Sequence, residues 1–252
     1  MAQMSADVSL ILPAFNEAAT IANTIQEAIA YFHSRGLCLE IIVAADGTDG
    51  TRELAQKMAA KNPLLRVIGD PGRLGKGRAV RQGVALASGV IIGYADADNK
   101  VPVTEFDKIQ PWFSAGCDVV IGSRALERSE ILRRQPLYRR LGARIFAMAM
   151  QNITGLRCVA DTQCGFKFYR KDAARRIFGA QRIDGYMFDV EVLALAESLG
   201  YRIKEVPIQW RDDGDSRLQL VRGNVRNAID LFRIRASLRA ISPALEAASA
   251  DR

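Results

Sequence analysis

Short, nearly continuous apolar runs alternate with amphipathic stretches through the first half of the chain. Val8-Ser-Leu-Ile-Leu12, Glu40-Ile-Ile-Val-Ala44, Leu65-Arg-Val-Ile68 and Val90-Ile-Ile-Gly-Tyr94 have strand length, and Val119-Val-Ile121 makes a fifth. Between them, residues 18–34, 49–60, 77–87 and 103–113 carry apolar side chains at helical spacing. Strands with so little polar alternation are buried on both faces. The pattern therefore predicts an α/β fold, a mostly parallel sheet with helices on both faces. In such sheets ligands bind beyond the carboxyl ends of the strands. That rule directs attention to the segments after Leu12, Ala44, Ile68 and Tyr94.

The second half is less regular. A basic stretch, 124–140, leads into a predicted helix from about Pro136 to Gln151, and a turn-rich segment follows at 161–171. Residues 188–199 read as a helix, 202–206 as a strand, and about 221–240 as a basic amphipathic helix. On this last helix Val221, Val225, Ile229 and Phe232 share a face, with Arg222, Arg226, Arg233, Arg235 and Arg239 mainly elsewhere. Such a pattern suits packing against the domain or lying in an anionic membrane interface equally well. The 136–151 helix, with Leu137, Leu141, Ile145 and Met148, admits the same two readings. No repeat or linker interrupts the chain, so a single domain is expected over 1–241, with 242–252 as a frayed tail.

Composition narrows the class. Hydrophobic residues make up 49% and charged residues 25% of the 252, ordinary for a globular protein. The 35 basic against 28 acidic residues leave a net charge of +7, which favours nucleic acid, anionic membrane or phosphorylated substrates. Nucleic acid is the weakest of these, because aromatics are only 7% and no recognition motif appears. One histidine, His33, and four scattered cysteines argue against a zinc site or a disulfide framework. No apolar run approaches the roughly 18 residues of a spanning helix, and the first apolar run ends at Pro13 as a strand would. The expectation is a cytoplasmic protein, peripheral at most to the cytoplasmic face of a membrane.

Candidate chemistry lies at the predicted strand ends. Asp96 and Asp98 follow the fourth strand, and in extended chain residues two apart point to one side. Hard cations such as Mg2+ take carboxylate and phosphate oxygens, although a pair of turn aspartates would look the same. Arg73-Leu-Gly-Lys76-Gly-Arg78 joins a strand to a helix and could approach an anion through its glycines, Lys76 and a helix start. It is neither a Walker A loop nor a G-x-G-x-x-G motif. In Asp46-Gly-Thr-Asp-Gly-Thr51, a turn with an N-cap explains Asp49, leaving Asp46 the freer carboxylate. Pro13-Ala-Phe-Asn-Glu17 closes the first strand and could equally be a cap with a staple.

Together with Gly122-Ser-Arg124, Asp161-Thr-Gln-Cys-Gly-Phe-Lys167 and Phe188-Asp-Val-Glu191, these segments occur in the order found in inverting glycosyltransferases of the GT-A fold. The chain resembles the dolichyl-phosphate β-glucosyltransferases, relatives of dolichyl-phosphate mannose synthase, from about Val8 to Arg239. The resemblance implies a nucleotide-sugar pocket at Pro13, Phe15, Glu17, Asp46 and Lys76. It also implies Mg2+ or Mn2+ at Asp98, with Asp96 on ribose or in the metal shell. Catalytic candidates are Asp96, Asp98, Arg124, Gln163 and Asp189. Gln163 and Lys167 are expected to line the sugar or position the acceptor, and Asp189 or Glu191 to bind sugar hydroxyls. The chain departs from the pattern at Ala45, where the family usually has a first aspartate, and in a shorter loop before Asp-Gly-Thr. Both bear on which base is read.

A phosphate monoester is already anionic at neutral pH and needs no general base, but it does ask for arginines. Arg124 is the first candidate to grip such an acceptor and Arg217 the second. The reading is therefore metal-dependent transfer of glucose from UDP-glucose to a polyprenyl phosphate. GDP-mannose, UDP-N-acetylglucosamine or a hydroxyl acceptor on the same fold are alternatives, and a non-catalytic nucleotide-sugar-binding module is an alternative of another class. Oligomeric state is not legible.

Overall fold

The computed structural model describes residues 6–131, 150–156, 158–211 and 223–250, with residues 131, 223–225 and 240–250 described by backbone alone. Arg133, Arg134, Arg139, Arg140, Arg217, Val221, Arg222 and most of the 136–151 helix lie outside these residues.

The strands are β1 (Val8–Phe15), β2 (Leu39–Asp46), β3 (Leu65–Ile68), β4 (Ile91–Ala95), β5 (Val119–Ser123), β6 (Glu130–Ile131), β7 (Phe166–Arg170), β8 (Ile203–Pro207) and β9 (Gln209–Trp210). Seven form one sheet in the order β3-β2-β1-β4-β7-β5-β8, and β6 pairs with β9. β1 runs parallel to both β2 and β4, β2 to β3, and β5 to β8. Only β7 is reversed, antiparallel to β4 and β5.

Helices cover both faces, as the unbroken apolar runs require. On one side lie α1 (Ile21–Ser34), α2 (Thr51–Ala59) and α4 (Phe106–Ser114), whose Ile21, Ile25, Phe32, Ala55, Phe106 and Ile109 share a core with Leu10, Leu12, Ile41 and Val43. On the other lie α3 (Lys76–Leu86), α5 (Lys171–Ala180), α6 (Phe188–Ser198) and α7 (Gly223–Ala250). Val80, Val84, Ile177, Leu193, Leu231 and Ile234 from these helices meet Ile11, Ile42, Ile92 and Tyr94. Successive strand residues thus enter opposite cores, which is the period-two geometry of a strand buried on both faces.

Two differences from the sequence reading have clear causes. The turn-rich segment 161–171 contains β7, the strand between β4 and β5. Its sequence, Phe-Lys-Phe-Tyr-Arg, places a charged residue, Lys167, where a buried strand should be apolar. The last helix extends to Ala250, past the predicted helical span of about 221–240, in keeping with the helix propensity of its alanines.

The topology gathers the chemistry at one edge. Because β1, β2, β4 and β5 all point the same way, Phe15, Asp46, Ala95 and Ser123 end together. The reversed β7 brings its start there too, with Phe166 opposite Ala95 and Lys167 opposite Tyr94.

Candidate active site

Asp96 leaves β4 with its backbone N–H on the Gly165 carbonyl at 3.0 Å. Its carboxylate packs over Gly165, where a Cβ would stand 2.0 Å from Oδ2, so only glycine fits there. Asp96 Oδ1 pairs with Lys76 Nζ at 2.6 Å. Asp98, two residues on, pairs with Lys100 Nζ at 3.2 Å. Burial first, and then the charge of Asp96, hold the Asp98 carboxyl above the usual carboxylate range. A divalent cation would relieve both penalties, and the hard oxygen donors suit Mg2+ or Mn2+. Among the described residues no cluster of three or more acidic, histidine or cysteine side chains is assembled. Asp96 and Asp98 alone would supply only part of a coordination sphere.

Lys76 opens α3. Its Nζ lies 3.9 Å from Asp189, besides the pairing with Asp96, and within 6 Å of the Tyr94 and Phe188 ring centroids. Burial alone would lower its pKa, but Asp96 and Asp189 outweigh that and raise it. The glycines around it answer a packing need. Gly75 has φ +109 and a Cβ there would meet the Asp184 carbonyl at 2.2 Å. That same carbonyl accepts from Gly77 N–H at 2.9 Å, and Leu74 N–H donates to Asp46 Oδ2 at 3.0 Å. Two of the loop's amides, of Leu74 and Gly77, are thus engaged within the protein, and the Lys76 ammonium stands between Asp96 and Asp189.

Asp189 differs from its expected surroundings. It is 2% exposed, accepts from Tyr94 Oη at 2.5 Å and pairs with Lys167 Nζ. Lys167 is fully buried and also donates to the Cys164 carbonyl at 2.6 Å. Neither Asp189 nor Lys167 can line the sugar; the buried pair instead stands behind Lys76. Glu191 is likewise committed, accepting from Arg182 N–H at 2.9 Å and Ile183 N–H at 2.8 Å. Burial raises its carboxyl.

Asp46, also expected to reach the nucleotide, binds backbone instead: Asp70 N–H at 3.2 Å and Leu74 N–H at 3.0 Å. It anchors the loop that carries Arg73 and Lys76. Ala45 is fully buried in β2 and presents nothing to a base. Asp49 is the turn residue the sequence suggested, accepting from Thr51 N–H at 3.0 Å and Ala18 N–H at 3.0 Å. Pro13, Phe15 and Glu17 form the end of β1 and the turn after it. The guanidinium of Arg73, in the loop the sequence marked for its charge, lies 4.6 Å from the Phe15 ring centroid.

At the end of β5, Arg124 grips Asp161 with two prongs, Nε to Oδ2 at 2.7 Å and Nη2 to Oδ1 at 2.9 Å. Its backbone N–H donates to the same carboxylate at 2.9 Å. Burial would raise the Asp161 carboxyl, but Arg124 overrides it and holds the group below the usual range. The guanidinium also lies 5.5 Å from the Trp210 ring centroid. With its side chain 30% exposed, Arg124 keeps N–H groups outside the fork for a further anion. Gln163, in the segment between Asp161 and β7, buries both amide atoms without a hydrogen-bond partner among the described residues. An amide buried without a partner is costly.

Tyr186 completes the cluster, and sequence reasoning missed it. Its side chain is 40% exposed, while crowding of its hydroxyl by protein, and then the charge of Asp189, push that hydroxyl up to about 12. The charges of Arg124, Lys76 and Asp161 bear on it as well. An aromatic after the Asp184-Gly185 turn and before a helix was the available signal.

Comparison with known proteins gives a consistent picture. The profile described as Glycosyl transferase family 2 matches residues 9–178. A dolichyl-phosphate beta-glucosyltransferase of Trichomonas vaginalis is 34% identical over 244 residues, covering 92% of this chain and 72% of that protein. The protein of that name from Saccharomyces cerevisiae is 31% identical, covering 90% and 74%. Among solved structures, mannosyl-3-phosphoglycerate synthase from Rubrobacter xylanophilus aligns with a TM-score of 0.66 at 20% identity, over 92% of this chain and 73% of that one. A mannosyltransferase from Pyrobaculum calidifontis, described in complex with GDP-Man and Mn2+, aligns with a TM-score of 0.57 at 18% identity, over 99% and 81%. At these identities the structural matches show the fold, and it is the α/β fold that the sequence predicted.

Proposed function

Because this chain belongs to glycosyl transferase family 2 and is a glycosyltransferase, we propose that it transfers glucose from UDP-glucose, with inversion, to a polyprenyl phosphate such as dolichyl phosphate. One observation favours a phosphate over a hydroxyl acceptor. Among the described residues, the carboxylates near Arg124 and Lys76 other than Asp96 and Asp98, which this reading assigns to metal and ribose, are engaged: Asp161 by Arg124, Asp189 by Lys167 and Tyr94, Glu191 by two amides. A hydroxyl acceptor needs a base. A phosphate monoester, largely ionised at neutral pH, does not.

In this reading Asp98, supported by Asp96, would hold Mg2+ or Mn2+ against the donor diphosphate. The metal, when bound, takes up the negative charge that develops on the leaving diphosphate. Lys76 leaves its pairing with Asp96 for a diphosphate oxygen, and Asp96 is then free for ribose or the metal shell. Phe15, Pro13 and Glu17, with Arg73, form the nucleotide wall, and Asp46 fixes the loop behind it. Arg124 offers its remaining N–H groups to the acceptor phosphate. Arg217, outside the described residues, is a second candidate for that contact. Gln163 donates to the sugar or acceptor, and Tyr186 lines the space between donor and acceptor. An acceptor oxyanion then attacks the anomeric carbon opposite the diphosphate. A new carbon–oxygen bond forms, the bond to the diphosphate breaks, and UDP leaves with the electron pair.

A polyprenyl acceptor places the reaction at a membrane surface. No helix among the described residues is long and apolar enough to cross a membrane, so the proposal includes peripheral contact. Single-domain organisation over 1–241 is part of the same reading. Incubation with labelled UDP-glucose, GDP-mannose or UDP-N-acetylglucosamine, with and without polyprenyl phosphate, tests it. Lipid-linked glucose from UDP-glucose is the expected product. Failure of every donor to yield a lipid-linked product would contradict the reading, and donor binding without any turnover would favour a non-catalytic module.

A further inference from the structure

The helix α7 (Gly223–Ala250) has two faces, and only one is used by the fold. Leu231 and Ile234, 5% and 0% exposed, join the core on the α6 side of the sheet, and Leu238 packs beside them. At about 100° per residue, Ile229, Phe232 and Ala236 fall on the opposite side. All three are exposed, Ile229 at 47% and Phe232 at 64%. Arg235 and Arg239 border this apolar strip on one flank, and Arg226 and Arg233 on the other; all four are exposed. The segment's one acidic residue between 226 and 239, Asp230, is 4% exposed on the buried side. Sequence periodicity left packing and membrane contact as rival readings of this helix; its residues serve the first through Leu231 and Ile234 and leave a second, basic-apolar face uncovered by the described residues.

We propose that this outer face of α7 docks the enzyme on an anionic phospholipid bilayer. Ile229 and Phe232 enter the headgroup boundary, while the flanking arginines extend sideways to lipid phosphates. Charge decides the occupant. An exposed strip flanked by Arg226, Arg235 and Arg239, with Arg233 paired to Asp230 at 3.4 Å, complements a negative surface. In a two-fold pairing of this face with a second copy, the same arginines would meet one another. The choice of a lipid surface rests on the polyprenyl-acceptor reading, but the face and its charge do not depend on it.

Vesicle flotation of the full chain tests the proposal, using phosphatidylcholine alone and phosphatidylcholine mixed with phosphatidylserine. Binding to the mixed vesicles is expected, weakened by salt and absent from phosphatidylcholine alone. The exposed pair I229S/F232S should lower the bound fraction at least about tenfold with an unchanged melting temperature. Should that pair disturb folding, R226Q/R235Q/R239Q decides, with loss of the preference for phosphatidylserine expected. Equal binding by wild type and the arginine variant would overturn the proposal. So would a wild-type dimer that I229S/F232S converts to monomer, since the face would then belong to a second copy. Transfer to a water-soluble, short-chain polyprenyl phosphate, measured in parallel, should be the same in all variants. Its failure in wild type, with vesicle binding retained, would count against the acceptor reading and leave the docking face standing.

Discussion

Asp189→Asn separates a buried structural charge from a substrate contact. Asp189 and Lys167 are 2% and 0% exposed, and each is the other's counter-charge. Neutralising the aspartate leaves an ammonium in the core with one carbonyl, that of Cys164, as its remaining partner among the described residues. Breaking a buried pair from one side costs about 3–5 kcal/mol. In a chain of this size each kcal/mol moves the melting temperature by about 2–4 °C, so a fall of about 6–20 °C is expected. Lys167→Met should cost a similar amount, because Asp189 then keeps only Tyr94 and a distant Lys76. The double variant leaves two neutral side chains of similar volume and should lie well above the sum of the single losses, within about 2 kcal/mol of wild type. Thermal unfolding followed by circular dichroism measures all four proteins. An Asp189→Asn protein that melts like wild type but has lost turnover would refute the reasoning, as would additive single effects. Asp189 would then be touching substrate.

Two further outcomes follow from the same site. Gln163→Met replaces a buried amide that has no partner among the described residues with an apolar side chain of similar size. It should stabilise the ligand-free protein by about 1–3 kcal/mol while lowering turnover, and a drop in both would contradict a ligand-directed amide. Asp161, held below its ordinary range by Arg124, contributes stability that is fully present above the unfolded value of about 4 and lost as pH falls through the lowered folded value. The melting-temperature gap between wild type and Asp161→Asn should hold from neutral pH to about 5 and close in stronger acid; a gap that persists in acid would rule out the ion pair as its cause.

The parallel half of the fold was legible because β1 and β2 are nearly uninterrupted apolar runs, a pattern that only burial on both faces produces. β7 was not, since Lys167 inside it is tolerated only through Asp189, a partner 22 positions away on α6. The same long-range pairing explains the misplaced roles. Asp46 and Asp189 stand at the expected strand end and helix start, but sequence spacing cannot say that one binds two loop amides and the other a buried lysine. Tyr186 was overlooked for the complementary reason: it stands in a turn whose local sequence carries no motif, and it gains meaning from residues brought close by the sheet. Asp96 and Asp98 stand directly after β4, as the strand pattern placed them, but their lysine partners, Lys76 and Lys100, were not legible from that spacing.

The central claim is that this strand end binds a divalent cation together with a nucleotide diphosphate. Mn2+ titration followed by electron paramagnetic resonance, with and without UDP-glucose, tests it in wild type and in Asp98→Asn. Wild type should bind Mn2+ more tightly when the nucleotide sugar is present, and Asp98→Asn should lose at least about tenfold of that affinity. Equal Mn2+ affinity in the two proteins, or an affinity indifferent to UDP-glucose, would contradict the claim.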